Sequence, residues 1–196
     1  MKLFLFLQEI RKRKSNINSL IITYTMNIVL FFLAFLTPVI AFPYGRCYVK
    51  QCDVSPYLTI LDKVTTNSFC FYFAEKNCIK ESYNCCERFK QNTIKFVVSS
   101  IPKCNSSLEM VTFNTVQRKG GIYFDVYDDF AELRITNINM NISDMLATYV
   151  CVHLKKPCNT FKKFCKGSKI HNKCAISIFD PKLHDCCPTC AIVKLS

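Results

Sequence analysis

Fourteen cysteines lie between Cys47 and Cys190 of this 196-residue chain, and none precedes Cys47. That placement constrains the fold more than any other feature. An even count at such density belongs to an oxidising compartment, where thiols pair and staple a domain. The positions are Cys47, Cys52, Cys70, Cys78, Cys85, Cys86, Cys104, Cys151, Cys158, Cys165, Cys174, Cys186, Cys187 and Cys190. Spacing alone does not reveal the connectivity. Cys85 and Cys86 are adjacent, as are Cys186 and Cys187. A ring closed between neighbours strains the peptide, so each member is expected to reach a different, distant partner. A metal site would need paired knuckles. Only Cys187-Pro188-Thr189-Cys190 has CxxC spacing, and His153, His171 and His184 stand at no recognisable distance from it. A thioredoxin-like redox pair wants its motif between a strand and a helix start, whereas this one sits near the chain's end behind Cys186. Neither a metal nor any cofactor is expected.

The cysteine-free stretch reads as a leader. Arg11-Lys12-Arg13-Lys14 is basic, no further charge occurs before Arg46, and Ile28 to Leu36 is densely apolar. Pro38 breaks a helix there, and Val39-Ile40-Ala41 ends in a small residue. This is the order of a secretory signal, with cleavage expected after Ala41. Met26 serves equally well as a start, which would make residues 1–25 an upstream extension. The alternative is a retained signal anchor over Leu20 to Phe42, which is long enough to span a bilayer. Asn27, Pro38 and Thr23-Tyr24-Thr25 count against it. Residues 42–196 are then a single domain that meets a membrane only during export, unless the leader is retained.

Within that domain the apolar runs are short, aromatic and β-branched. Strands are expected at Tyr57 to Leu61, Phe69 to Phe73, Thr93 to Ser99, Leu108 to Asn114, Ile122 to Tyr127, Ala131 to Asn137, Thr148 to Leu154 and Ala175 to Phe179. Ile94, Phe96 and Val98 alternate so as to share one face, as do Leu133 and Ile135. Gly120-Gly121 marks a turn. One short helix is expected around Asn159 to Cys165, capped by Asn159 or Thr160. The pattern is mostly β: a disulfide-rich antiparallel β-sandwich or barrel-like domain with at most one or two short helices.

Four features carry candidate chemistry. Asn105-Ser106-Ser107 and Asn141-Ile142-Ser143 fit the N-glycosylation acceptor pattern. Between Lys155 and Lys173 stand seven lysines and no acid: Lys155, Lys156, Lys162, Lys163, Lys166, Lys169 and Lys173. Such a run is a solvated face or a site for an acidic extracellular polymer, such as a sulfated or uronic polysaccharide. Nucleic acid is not expected as a partner, because lysines without arginine make point-charge contacts and do not read bases. Residues 42–196 hold 21 basic and 13 acidic residues, a net of +8, so the basic character does not depend on the leader. Asp125, Asp128, Asp129 and Glu132 form an acidic cluster without EF-hand spacing. It reads as a polar hairpin loop, with paired carboxylates for sugar hydrolysis as the less favoured reading. No G-x-S-x-G, H-E-x-x-H or P-loop pattern occurs, and no enzyme is expected.

The order of motifs carries a further signal. Phe42-Pro43-Tyr44 is followed by Ser55-Pro56-Tyr57, Phe69-Cys70-Phe71 and Cys85-Cys86 ahead of Ile94-Lys95-Phe96. Leu133-Arg134-Ile135-Thr136-Asn137, Cys151, Pro157-Cys158, Cys165, Cys174 with Ile178-Phe179-Asp180, and Asp185-Cys186-Cys187-Pro188-Thr189-Cys190 follow. The series resembles the pherophorin domain of extracellular matrix glycoproteins of volvocine green algae, over Phe42 to Cys190. That resemblance implies a secreted, glycosylated wall or matrix module with structural cysteines and no catalytic residues. Its partners would be matrix polysaccharide or neighbouring glycoproteins. Some members of that family are similar to soluble sexual-inducer glycoproteins, which implies signalling as the alternative. Two departures stand out. No hydroxyproline-type rod lies within these residues, and Gly45 and Arg46 separate the opening Phe-Pro-Tyr from Cys47.

Overall fold

The computed structural model describes residues 42–43, 47–78, 84–165, 174–181 and 185–194. The chain divides into two compact units, 1–41 and 42–196. The signal and anchor readings fall on the first and lie outside the described residues. Among the described residues, no helix is long and apolar enough to cross a membrane.

In chain order the elements are β1 (Tyr57–Val64), β2 (Ser68–Glu75), α1 (Cys85–Gln91), β3 (Thr93–Ser100), β4 (Leu108–Phe113) and β5 (Val116–Gln117). They continue with β6 (Ile122–Val126), β7 (Ala131–Met140), α2 (Ile142–Leu146), β8 (Tyr149–Leu154), α3 (Phe161–Phe164), β9 (Ala175–Phe179), β10 (Thr189–Ala191) and β11 (Val193–Lys194). One sheet runs β11-β1-β2-β8-β4-β5 and the other β10-β9-β3-β7-β6. Every neighbouring pair is antiparallel except β1 with β11. The sheets stay open at their edges, so the fold is a sandwich and not a barrel. All eight expected strands are present. Among the described residues, three short α-helices stand where at most one or two were expected.

Alternation along the strands builds the core. Phe69, Phe71 and Phe73 of β2 face inward, as do Val150, Val152 and Leu154 of β8. Opposite them, Phe96, Val98, Leu133, Ile135, Ile176 and Ile178 close the sandwich. Phe96 meets Phe71 and Phe73 at ring-centroid distances of 6.0 and 5.7 Å, edge to face. With no tryptophan in the chain, phenylalanines fill the space between the layers. The expected alternation fails at Ile94. A register shift between Thr93 and Lys95 interrupts the β3–β7 ladder, and Ile94 packs in a second cluster with Val97, Phe130 and Phe179. A bulge turns its side chain to the opposite face. Phe42 closes that cluster, 6.4 Å from Phe130.

All fourteen cysteines pair, in seven bridges: Cys47–Cys187, Cys52–Cys190, Cys70–Cys151, Cys78–Cys86, Cys85–Cys186, Cys104–Cys158 and Cys165–Cys174. Adjacent cysteines take different partners, as steric reasoning expects, and Cys85, Cys186 and Cys187 reach distant ones, but Cys86 bonds Cys78 only 8 residues away. Beside Cys85–Cys186, Arg88 of α1 meets the buried Asp180 at 3.0 Å and Asp185 at 3.3 Å. The hydrogen bond to Asp180 is the main reason that the Arg88 guanidinium is held even more firmly protonated than usual. Asp180 Oδ1 also accepts from the Cys186 N–H at 3.2 Å.

Arg88→Ala strands Asp180 in the interior and is expected to cost about 3 kcal/mol in chemical denaturation. Glu87→Ala, which removes an exposed pair with Lys90, is expected to cost under about 0.5 kcal/mol. The buried Tyr57 supplies a second test. Its hydroxyl donates to the Phe89 carbonyl at 2.8 Å, and burial pushes its pKa from 10.0 up to about 12. The folded value lies above the unfolded one, so the protonated hydroxyl contributes fully below pH 10. That contribution is lost as pH rises from 10 through about 12. Urea unfolding across this window is expected to show a loss of about 2–3 kcal/mol that Tyr57→Phe reduces.

Candidate polyanion face and glycosylation sites

The lysine-rich segment is built around one helical turn. Thr160 caps α3, its Oγ1 accepting from the Lys163 N–H at 3.3 Å. Phe161 and Phe164 are three apart and share a face. Both pack on Phe69, with ring centroids 5.0 and 5.6 Å away, and Phe164 also meets Phe124 at 6.0 Å. The intervening Lys162 and Lys163 are exposed. Lys163 Nζ donates to Asn159 Oδ1 at 3.4 Å, and Asn159 Nδ2 donates to the Thr66 carbonyl at 3.1 Å. These bonds tie the segment to the β1–β2 turn.

Lys155 and Lys156 are exposed in the turn after β8. The Lys155 N–H donates to the Ser107 carbonyl at 2.8 Å, and the Cys158 N–H to Ser107 Oγ at 3.0 Å. Cys104–Cys158 holds the same turn covalently. The backbone carrying these four lysines is therefore anchored at several points, and all four residues are exposed. Lys166, Lys169 and Lys173 lie outside the described residues, as do His171 and His184.

An open groove of ≈ 620 Å³ runs between the end of β1, the β1–β2 turn, α3 and β11. Leu61, Phe161 and Ile192 form its apolar floor, and Thr65, Lys162 and Lys194 stand on its rim. Among the described residues, no carboxylate lines it. Sequence reasoning missed Lys194, because only the parallel pairing of β11 with β1 (Leu61 opposite Lys194) brings the chain's end to this place.

The acidic cluster is a hairpin. Asp125 and Glu132 face each other across β6 and β7, Arg134 pairs with Asp125, and Asp128 and Asp129 sit in the turn that Tyr127 N–H closes onto the Phe130 carbonyl at 2.9 Å. Among the described residues, no group of three or more His, Cys, Asp or Glu side chains is placed to hold a metal ion.

Both acceptor asparagines are exposed. Asn105 lies in the turn after the Pro102–Cys104 helical segment, while Ser107 of its sequon is buried beneath it. Asn141 caps α2, its Oδ1 accepting from the Asp144 N–H at 2.9 Å. That bond uses Oδ1 and not Nδ2, the atom a glycan joins, so cap and glycan are compatible.

The arrangement defines a disulfide-stapled, two-sheet β module with loop-borne cations. Residues 42–188 match the Pherophorin family, and the chain belongs to it. No curated protein and no solved structure matches the chain.

Enzymatic removal of N-glycans from protein made through a secretory pathway is expected to lower its mass by two glycan equivalents. Asn105→Gln and Asn141→Gln should each abolish one of them in intact-mass measurements.

Proposed function

We propose that this chain is a secreted extracellular matrix glycoprotein module that binds anionic polysaccharide through the lysine face around α3, and that it works by binding and not by catalysis. The observation that carries this reading is the presence of Lys162 and Lys194 together on the rim of an apolar groove that, among the described residues, no carboxylate lines. A uronic acid unit offers complementary chemistry. Its apolar ring face stacks on Phe161 and Ile192, and its carboxylate meets the ammonium groups. Lys155, Lys156 and Lys163 add a diffuse positive field that draws in a charged chain over about a Debye length. Family membership supports the matrix location and the absence of catalysis.

Binding of the disulfide-intact protein to a polyuronate, measured by calorimetry, is expected to weaken steeply with added salt. Changing Lys155, Lys156, Lys162 and Lys163 together to Gln is expected to raise Kd by about tenfold or more. Lys162→Gln with Lys194→Gln should cost more than Lys155→Gln with Lys156→Gln. Equal affinity for a neutral glucan, or affinity indifferent to salt and to these changes, would sink the proposal.

A further inference from the structure

The four sheet edges are unequal. β5 and β11 have two residues each and β10 has three, whereas β6 has five. Short edges offer little to a passing strand. Ile122–Val126 contains no lysine and no proline, and its sole charge, Asp125, is already paired with Arg134. Of the five large hydrophobic side chains exposed among the described residues, three lie on this flank: Val116 at 71%, Tyr123 at 50% and Val126 at 45%. Residues 118–121 join β5 directly to β6, so the two edges adjoin.

The ladder shows which way the backbone of β6 points. The Tyr127 N–H bonds the Phe130 carbonyl, and the Thr136 N–H bonds the Gly121 carbonyl at 2.7 Å. Bonded and non-bonded pairs alternate in an antiparallel ladder. Tyr123 and Asp125 therefore bond to β7, while the N–H and C=O groups of Ile122, Phe124 and Val126 point away from it. Among the described residues, no strand pairs with that side. Gly121 starts the strand at φ +71°, and a Cβ there would meet the Thr136 carbonyl oxygen at 2.5 Å. The strand's position against β7 is thus tightly set.

We propose that β6 is a self-association edge, on which a second copy of this chain pairs antiparallel about a two-fold axis at Phe124. Phe124 then faces the partner's Phe124, and Ile122 faces the partner's Val126, joining the apolar stripe of one sandwich to the same stripe of the other. Each of these pairs exchanges two backbone hydrogen bonds. On the opposite face, Tyr123 lies beside the partner's Asp125, offering its hydroxyl to a carboxylate. No like charges meet. Centring the axis on Asp125 would oppose the two Asp125 carboxylates, and centring it on Val126 would set Phe124 against the partner's Asp128, so the Phe124 register is favoured over both. The contact is isologous and closes as a dimer. It does not depend on the polysaccharide reading.

The test is sedimentation velocity of the disulfide-intact protein over roughly 1 to 200 µM, with thermal unfolding in parallel. Wild type is expected to dimerise. Tyr123→Asp sets a carboxylate against the partner's Asp125 and should raise the dimer Kd by about tenfold, whereas Tyr123→Lys should stay within about threefold of wild type. Within one chain Tyr123 faces Arg134, so monomer stability should favour the Asp variant, the opposite order. Val126→Lys should abolish the dimer without unfolding the chain. The amides of Ile122, Phe124 and Val126 should exchange slowly in the dimer and fast in the Val126→Lys monomer. A wild type that stays monomeric throughout, a dimer that treats Asp and Lys at residue 123 alike, or one that leaves those amides fast, overturns the proposal.

Discussion

Everything in this molecule depends on the covalent return of the chain's end to its beginning. Cys47–Cys187 and Cys52–Cys190 close separations of 140 and 138 residues, and Cys85–Cys186 closes 101. Loops of this size remove much of the unfolded chain's freedom, on the order of 4–5 kcal/mol for a single one, although nested loops do not add in full. Backbone bonds follow the same path: Val49 N–H to the Asp185 carbonyl, Cys187 N–H to the Val49 carbonyl and Thr189 N–H to the Lys50 carbonyl, each at 2.9 Å. The clasp places β11 beside β1 and so brings Lys194 to the groove.

Rigidity at the proposed polyanion face comes from a different source, aromatic packing under a polar skin. α3 has four residues, too few to persist alone. Phe161 and Phe164 hold it by packing on Phe69 and Phe124, and Thr160 caps it. Ser107 serves two purposes here. It completes the Asn105 sequon, and its buried hydroxyl accepts from Cys158 N–H. A glycan on Asn105 would therefore stand beside the turn that carries Lys155 and Lys156, where it can limit which polymers approach.

Much of the fold was legible because strand signals are local. Several of the eight anticipated strands carry alternating apolar residues, which need no distant information, and the Thr160 cap is a local signal as well. What escaped had other causes. α1 begins at two cysteines that read as bridge positions, and its helical spacing of Cys85 and Phe89 is a single turn long. At Asn141 the sequon masked the Asn-x-x-Asp cap of α2. β5 follows Asn114 and Thr115, both at positive φ (47° and 74°). That is the geometry of a tight hairpin, and threonine rarely signals it. The site was half legible: a run of lysines shows in the sequence, but a groove does not.

The sequence by itself determined that this is a cysteine-stapled, mostly β module of the pherophorin kind, because composition, short-period alternation and motif order are properties of the chain and not of its folding. Only the tertiary structure decided which cysteines meet, that two sheets face each other without closing, that Lys194 joins Lys162 across an apolar floor, and that among the described strands β6 is the longest unpaired edge. Those outcomes depend on contacts between residues up to 140 positions apart. Such contacts form by packing and pairing in three dimensions, and no local pattern in the chain encodes them.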